Sequence, residues 1–129
     1  MAETPDLQQL MGRIRGHFVE VRKQLHHIPV EEWGVDGKPL DIYVKPPTLN
    51  ELNRVDEFRR EGRFTMMAGL IVVRALDKDG KRIFGDAMVG ELMKKADPEV
   101  VGRIAIEIQT AFAARPTAEE AAEAAPGEA

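Results

Sequence analysis

Between Leu40 and Phe58 the spacing of apolar residues changes from every second position to every third or fourth, and the change falls on Pro46-Pro47. Leu40, Ile42 and Val44 alternate with Asp41, Tyr43 and Lys45, the pattern of a strand with one buried face. The two prolines stop it. Beyond them Leu49, Leu52, Val55 and Phe58 form a narrow helical stripe. Thr48, with Glu51 three residues on, makes a capping box, in which each side chain satisfies a backbone donor of the other. A half-buried strand running straight into a capped helix points to an α+β fold.

Upstream, Ile28-Pro-Val-Glu-Glu-Trp33 reads as a partner strand, and Asp36-Gly37 supplies a turn where φ can be positive. Residues 28–45 are therefore expected to form a β-hairpin. Pro29 lacks a backbone donor, so the first strand is expected to be an edge or to begin late. Trp33 is expected to cover one end of the core.

Downstream, Gly62 is expected to end the capped helix. Phe64 to Leu76 is apolar around much of its circumference and reads as the central helix. Met66 and Met67 lie in it, either as gap-filling core or as an adaptable binding surface. Asp77-Lys-Asp-Gly80 is a turn. Asp86 is expected to cap the next helix, lined by Met88, Val89, Leu92 and Met93. Asp97-Pro98 then opens a last helix, with a stripe from Val100 to Phe112 and a span reaching Ala114. The expected architecture is a β-hairpin followed by a bundle of about four helices, mostly α.

The ends differ from this body. Residues 1–27 form an N-terminal arm in which Leu7, Leu10, Met11, Ile14, Phe18, Val21 and Leu25 fall on one helical stripe. Gly12 and Gly16 weaken a helix there, and the alternation over His17–Arg22 permits a strand as well. Such an arm either packs on its own domain or becomes ordered on a partner. Residues 28–115 form the main domain. Residues 116–129 hold four glutamates, no basic residue and no large apolar side chain, and read as an acidic, Ala/Glu-rich disordered tail.

The formal net charge of −4 therefore resides in the tail, and the body is nearly neutral. No concentrated basic run points to nucleic acid. Arg54, Arg59, Arg60 and Arg63 are interleaved with Asp56, Glu57 and Glu61, as on a solvated face with local ion pairs. The longest apolar run, Met66 to Val73, falls far short of the ~20 residues that span a bilayer. The acidic, polar N-terminus does not have the pattern of a signal peptide. With no cysteine there are no disulfides or thiolate metal ligands, which suits a cytoplasmic protein.

Reactive chemistry is hard to find. The chain has no Ser and no Cys. Asp77-x-Asp79-Gly80 suggests a calcium loop, but with Gly80 at position six, Ala75 stands where the first ligand belongs, and a plain turn accounts for it better. His26 and His27 are adjacent and project differently in any regular structure, so a shared metal is not expected, and a surface role is. The glycines form no phosphate loop. The expectation is a protein that is not an enzyme and holds no cofactor or metal.

The order Trp33-Gly34, extended Asp41-Ile-Tyr-Val-Lys45, helix start Thr48-Leu49-Asn50-Glu51, apolar helix ending Val72-Val73-Arg74-Ala75-Leu76, then Asp79-Gly80-Lys-Arg-Ile-Phe84 and two further helices resembles the tail assembly chaperones of long-tailed bacteriophages, found also in prophages and gene transfer agents. The resemblance covers roughly residues 28–113. It implies a protein that binds and solubilises the long, helical tape-measure protein in the cytoplasm of the bacterial host and is absent from the mature particle. It also implies the tail-tube protein and self-association as further contacts. Such a protein needs an apolar helical face rather than a catalytic site. The partner-binding candidates are Leu7, Leu10, Ile14 and Phe18 on the arm, and Met66 and Met67 on the central helix. The alternatives are a structural tail or head–tail connector component and a small regulatory binding module.

Overall fold

The computed structural model describes residues 6–112. The elements are α1 (Leu7–Val21), β1 (His26–Val35), β2 (Lys38–Val44), α2 (Leu49–Arg59), α3 (Arg63–Arg74), α4 (Met88–Lys95) and α5 (Pro98–Thr110). The fold is α+β and mostly helical: a two-stranded antiparallel hairpin followed by four helices, with a fifth helix ahead of it. The acidic tail and the expected end of the last helix at Ala114 lie outside the described residues.

The hairpin pairs His26 with Val44 and Ile28 with Ile42, and the register shifts between Val30 and Val35. Its tip is the Asp36-Gly37 turn, where both residues have positive φ, 54° and 74°. That backbone matches the twist of the flanking strands. β1 starts at His26, earlier than Pro29 suggested, and Pro29 lies opposite Asp41. β2 has β1 on one side and, on the other, an isolated bridge in which Tyr43 and Leu76 exchange two 2.8 Å backbone hydrogen bonds. Proline is thus carried by the outer strand, where a missing donor is tolerated.

The core lies between the hairpin and the helices. Ile28, Val30, Ile42 and Val44 meet Leu70, Ile71 and Ala75 of the α3 segment and Val100, Val101, Ile104, Ala105 and Ile108 of α5. α3 is central: every residue from Ala68 to Arg74 is buried, and it packs on α2, α4 and α5. A narrow apolar stripe serves a helix at the edge; a helix covered by three neighbours needs apolar groups nearly all round. At the α2–α3 crossing Gly69 lies against Phe58, and a Cβ on Gly69 would fall 2.3 Å from the ring. Trp33 packs on the rim of the core, edge-on to Phe84 at 6.2 Å between centroids.

The helix ends follow the sequence with one correction. Thr48 and Glu51 form both halves of the capping box, with bonds of 3.0 and 2.8 Å. Asp97 caps α5 with Pro98 in its first turn. Gly62, at φ 135°, stands between the last turn of α2 and the start of α3. Asp86, expected to cap α4, does not: the position is Ala87, with no side-chain cap. The Asp86 carboxylate is held instead by Arg54 and Arg82, the latter at 2.9 Å. Two guanidinium groups offer charge-assisted hydrogen bonds, which outweigh a single backbone donor.

Candidate partner-binding surface

α1 stands apart from the core. Asp6 caps it, its side chain accepting from the Gln8 N–H at 2.8 Å. None of its residues is buried, and it is absent from the principal packing pairs of the fold. The arm is helical, and among the described residues none of α1 is buried against the domain. Leu7 is 72% exposed, Ile14 49% and Phe18 39%; Met11 and Val19 are exposed too, and Leu10 is half-buried.

The root of α1 is tied down. Arg22, just past its last turn, donates to the Pro46 carbonyl at 2.7 Å and to Glu51 Oε1 at 3.2 Å. The same guanidinium sits over the Phe18 ring at 5.6 Å. On the strap between β2 and α2, buried Arg74 donates to the neighbouring Lys45 carbonyl at 2.7 Å. Two adjacent carbonyls are thus gripped by two arginines, and the second is the helix-end cation of α3. Burial pushes the Arg74 guanidinium below its ordinary value, while the Glu51 carboxylate opposes that shift.

Beside this root an open groove of about 580 Å³ has apolar side chains from Phe18, Val19 and Leu25, cations from Lys23, Lys45 and Lys78, and the carboxylates of Asp77 and Asp79. The Asp77–Gly80 turn closes it. Asp77 Oδ1 accepts from the Asp79 and Lys81 N–H groups, so the turn that resembled a calcium loop is satisfied by its own backbone.

A second groove, about 280 Å³, lies between α3, α4 and α5, lined by Phe64, Met67, Ala68, Leu92, Met93 and Val101 among others. Of the sequence-predicted residues, Leu7, Leu10, Ile14 and Phe18 share α1. Met67 lines the second groove and packs on the core; Met66 is half-buried and lines neither groove. Phe64 and Met93 were not among the partner-binding candidates, yet both line the second groove with exposed rims. Their signal was a helical stripe, which looks the same for a core face and a groove wall.

The histidines separate. His27 Nε2 lies 2.7 Å from Asp41 Oδ1, and its ring stacks on Tyr43. His26 is half-buried rather than fully at the surface. Its ring turns inward, edge-on to Phe112, because its strand position faces the same side as Ile28 and Val30. Among the described residues no group of three or more His, Asp or Glu is placed to hold a metal ion. No helix among them is long and apolar enough to cross a membrane.

Among solved structures, the chain is similar to the tail assembly chaperone of bacteriophage HK97. The identity is 15%, the match covers 66% of this chain and 80% of that one, and the TM-score is 0.49. A likeness of this size assigns no function. No family model and no curated protein matches the chain.

Proposed function

We propose that this chain is a phage tail assembly chaperone that binds the tape-measure protein and keeps it soluble until the tail tube forms around it. One observation carries the reading: a capped helix, α1, tied at its root by Arg22, presents Leu7, Met11, Ile14 and Phe18 on its exposed face among the described residues. An exposed amphipathic helix is a device for meeting another amphipathic segment. The motif order from Trp33 to Phe84 supports the same reading independently. In this reading the protein works by binding, without turnover chemistry, in the cytoplasm of the host, and leaves before the particle is complete. Many copies along one long client give avidity from individually weak contacts.

The test is co-expression with a tape-measure protein. A soluble complex, with the client insoluble when expressed alone, is the expected result. An insoluble client and no complex would remove the reading. Mass spectrometry of purified particles separates it from a structural tail component, which would remain in the particle. The tail-tube protein is the second bait for the same pull-down.

A further inference from the structure

We propose that Pro29 closes the free edge of the hairpin to strand pairing, so that two copies of this chain do not join sheet to sheet. This holds whichever client the protein takes.

One contact fixes the direction of each backbone group in the hairpin. Tyr43 turns both its N–H and its carbonyl towards Leu76, in two 2.8 Å hydrogen bonds. Along a strand of an antiparallel ladder these groups point to alternate sides. Ile42 and Val44 therefore turn theirs towards β1, and their partners Ile28 and His26 return the bonds. His27 and Pro29, which stand opposite Tyr43 and Asp41, turn theirs the other way, out of the sheet. On the far side of β2 lies Leu76. On the far side of β1 there is no backbone hydrogen bond to any other described residue. His27 and Pro29 are both exposed there.

An open edge of this kind is a template for another strand. β1 runs for ten residues, beyond the roughly five or six of an ordinary strand, so the template is long. Pro29 falls within the stretch in regular register, His26 to Val30. It offers an outward carbonyl but no N–H, and its ring stands where an incoming strand must lie. Because its backbone groups point outwards, the missing donor takes nothing from the ladder with β2. Two β1 edges laid antiparallel would leave a carbonyl of each copy without its donor. Past Val30 the register shifts and exposed Glu31 follows, so an incoming strand would next meet a broken ladder and a charge.

Pro29→Thr restores the donor with a side chain suited to strands. Sedimentation velocity over a concentration series compares it with the parent chain. Self-association is expected to strengthen by on the order of tenfold, as two regained hydrogen bonds would give. The amides of His27 and of the substituted position should exchange more slowly as concentration rises, while those of Ile28 and Val30, already in the ladder, should not change. Adding His27→Pro moves the gap along the same edge and should return association to the parent level. In the parent, the His27 amide should exchange quickly at every concentration.

A slowly exchanging His27 amide in the parent would mean that the edge is already covered, and overturns the proposal. So does a folded Pro29→Thr that sediments as the parent does. Association gained without slower exchange at His27, or kept when His27→Pro is added, places the contact elsewhere and overturns it too. Pro29→Val is the second replacement: loss of the fold in both would show that the hairpin itself requires Pro29, and the edge role falls.

Discussion

Arg103 of α5 holds Glu32 of β1 through two parallel hydrogen bonds, 2.7 Å from one guanidinium nitrogen to Oε2 and 2.6 Å from the other to Oε1. The pair joins segments far apart in sequence and fastens the far end of the hairpin to the last helix, alongside the apolar contact between α5 and β1. The fork geometry allows both carboxylate oxygens to be satisfied at once.

The Arg103 hydrogen bonds hold the Glu32 carboxyl at about 2, down from its ordinary 4.5. A depressed carboxylate contributes stability that is fully present above the unfolded value and lost as pH falls through the folded one. The contribution should therefore fade between about pH 4.5 and 2. Glu32→Gln is expected to flatten that part of the melting-temperature profile and leave the region above pH 6 nearly parallel to the parent. Asp86, lowered by its bonds to Arg54 and Arg82, has the same sign and should leave a residual acid slope in the variant.

Gly69→Ala should destabilise the fold, because its Cβ would fall within 2.8 Å of three Phe58 side-chain atoms on α2. Overpacking of this kind costs about 1–3 kcal/mol. Phe58→Leu in the same chain should recover part of the loss. Urea unfolding of the single and double variants checks this, and a neutral Gly69→Ala would show that α2 is not seated on α3 as described.

Arg22→Ala should free the root of α1 from Pro46 and Glu51. Amide exchange across Leu7–Val21 is expected to accelerate. The body should lose no more than ~1 kcal/mol, since Glu51 keeps its bond to the Thr48 N–H. Unchanged exchange in α1 would mean that Arg22 is not what anchors it.

Ile71→Ala and Leu49→Ala separate an apolar residue of the central helix from one on the stripe of α2. Ile71 is fully buried at the centre of the core, and its truncation should cost ~2–5 kcal/mol. Leu49 is 82% exposed, and its truncation should stay within ~0.5 kcal/mol. Ile14→Asp on exposed α1 should fall with Leu49 in stability. Chemical denaturation of the three variants makes the comparison.

The hairpin turn, the capping box at Thr48 and the Asp97-Pro98 start of α5 were all legible in the sequence. Each is a signal contained within a few adjacent residues, and local backbone chemistry decides it. Asp86 was misread because its partners, Arg54 and Arg82, reach it across the fold; an acidic residue just before a helical run looks like a cap until its neighbours in space are known. His26 was misread for a related reason: its inward face depends on where β1 begins, and the strand starts before Pro29. The arm was recognised as an apolar stripe, but the stripe alone does not distinguish a buried face from an open one.

By itself the sequence determined where strand gives way to helix, which turns take positive φ, and that α3 would lie at the centre, because periodicity and composition act within a single segment. Only the tertiary structure decided that Leu49 and the α1 stripe face water while Ile71 does not, and that Arg74 is buried beside a backbone carbonyl. Those outcomes depend on which surfaces meet. That choice is made by long-range packing, which no single segment's pattern contains.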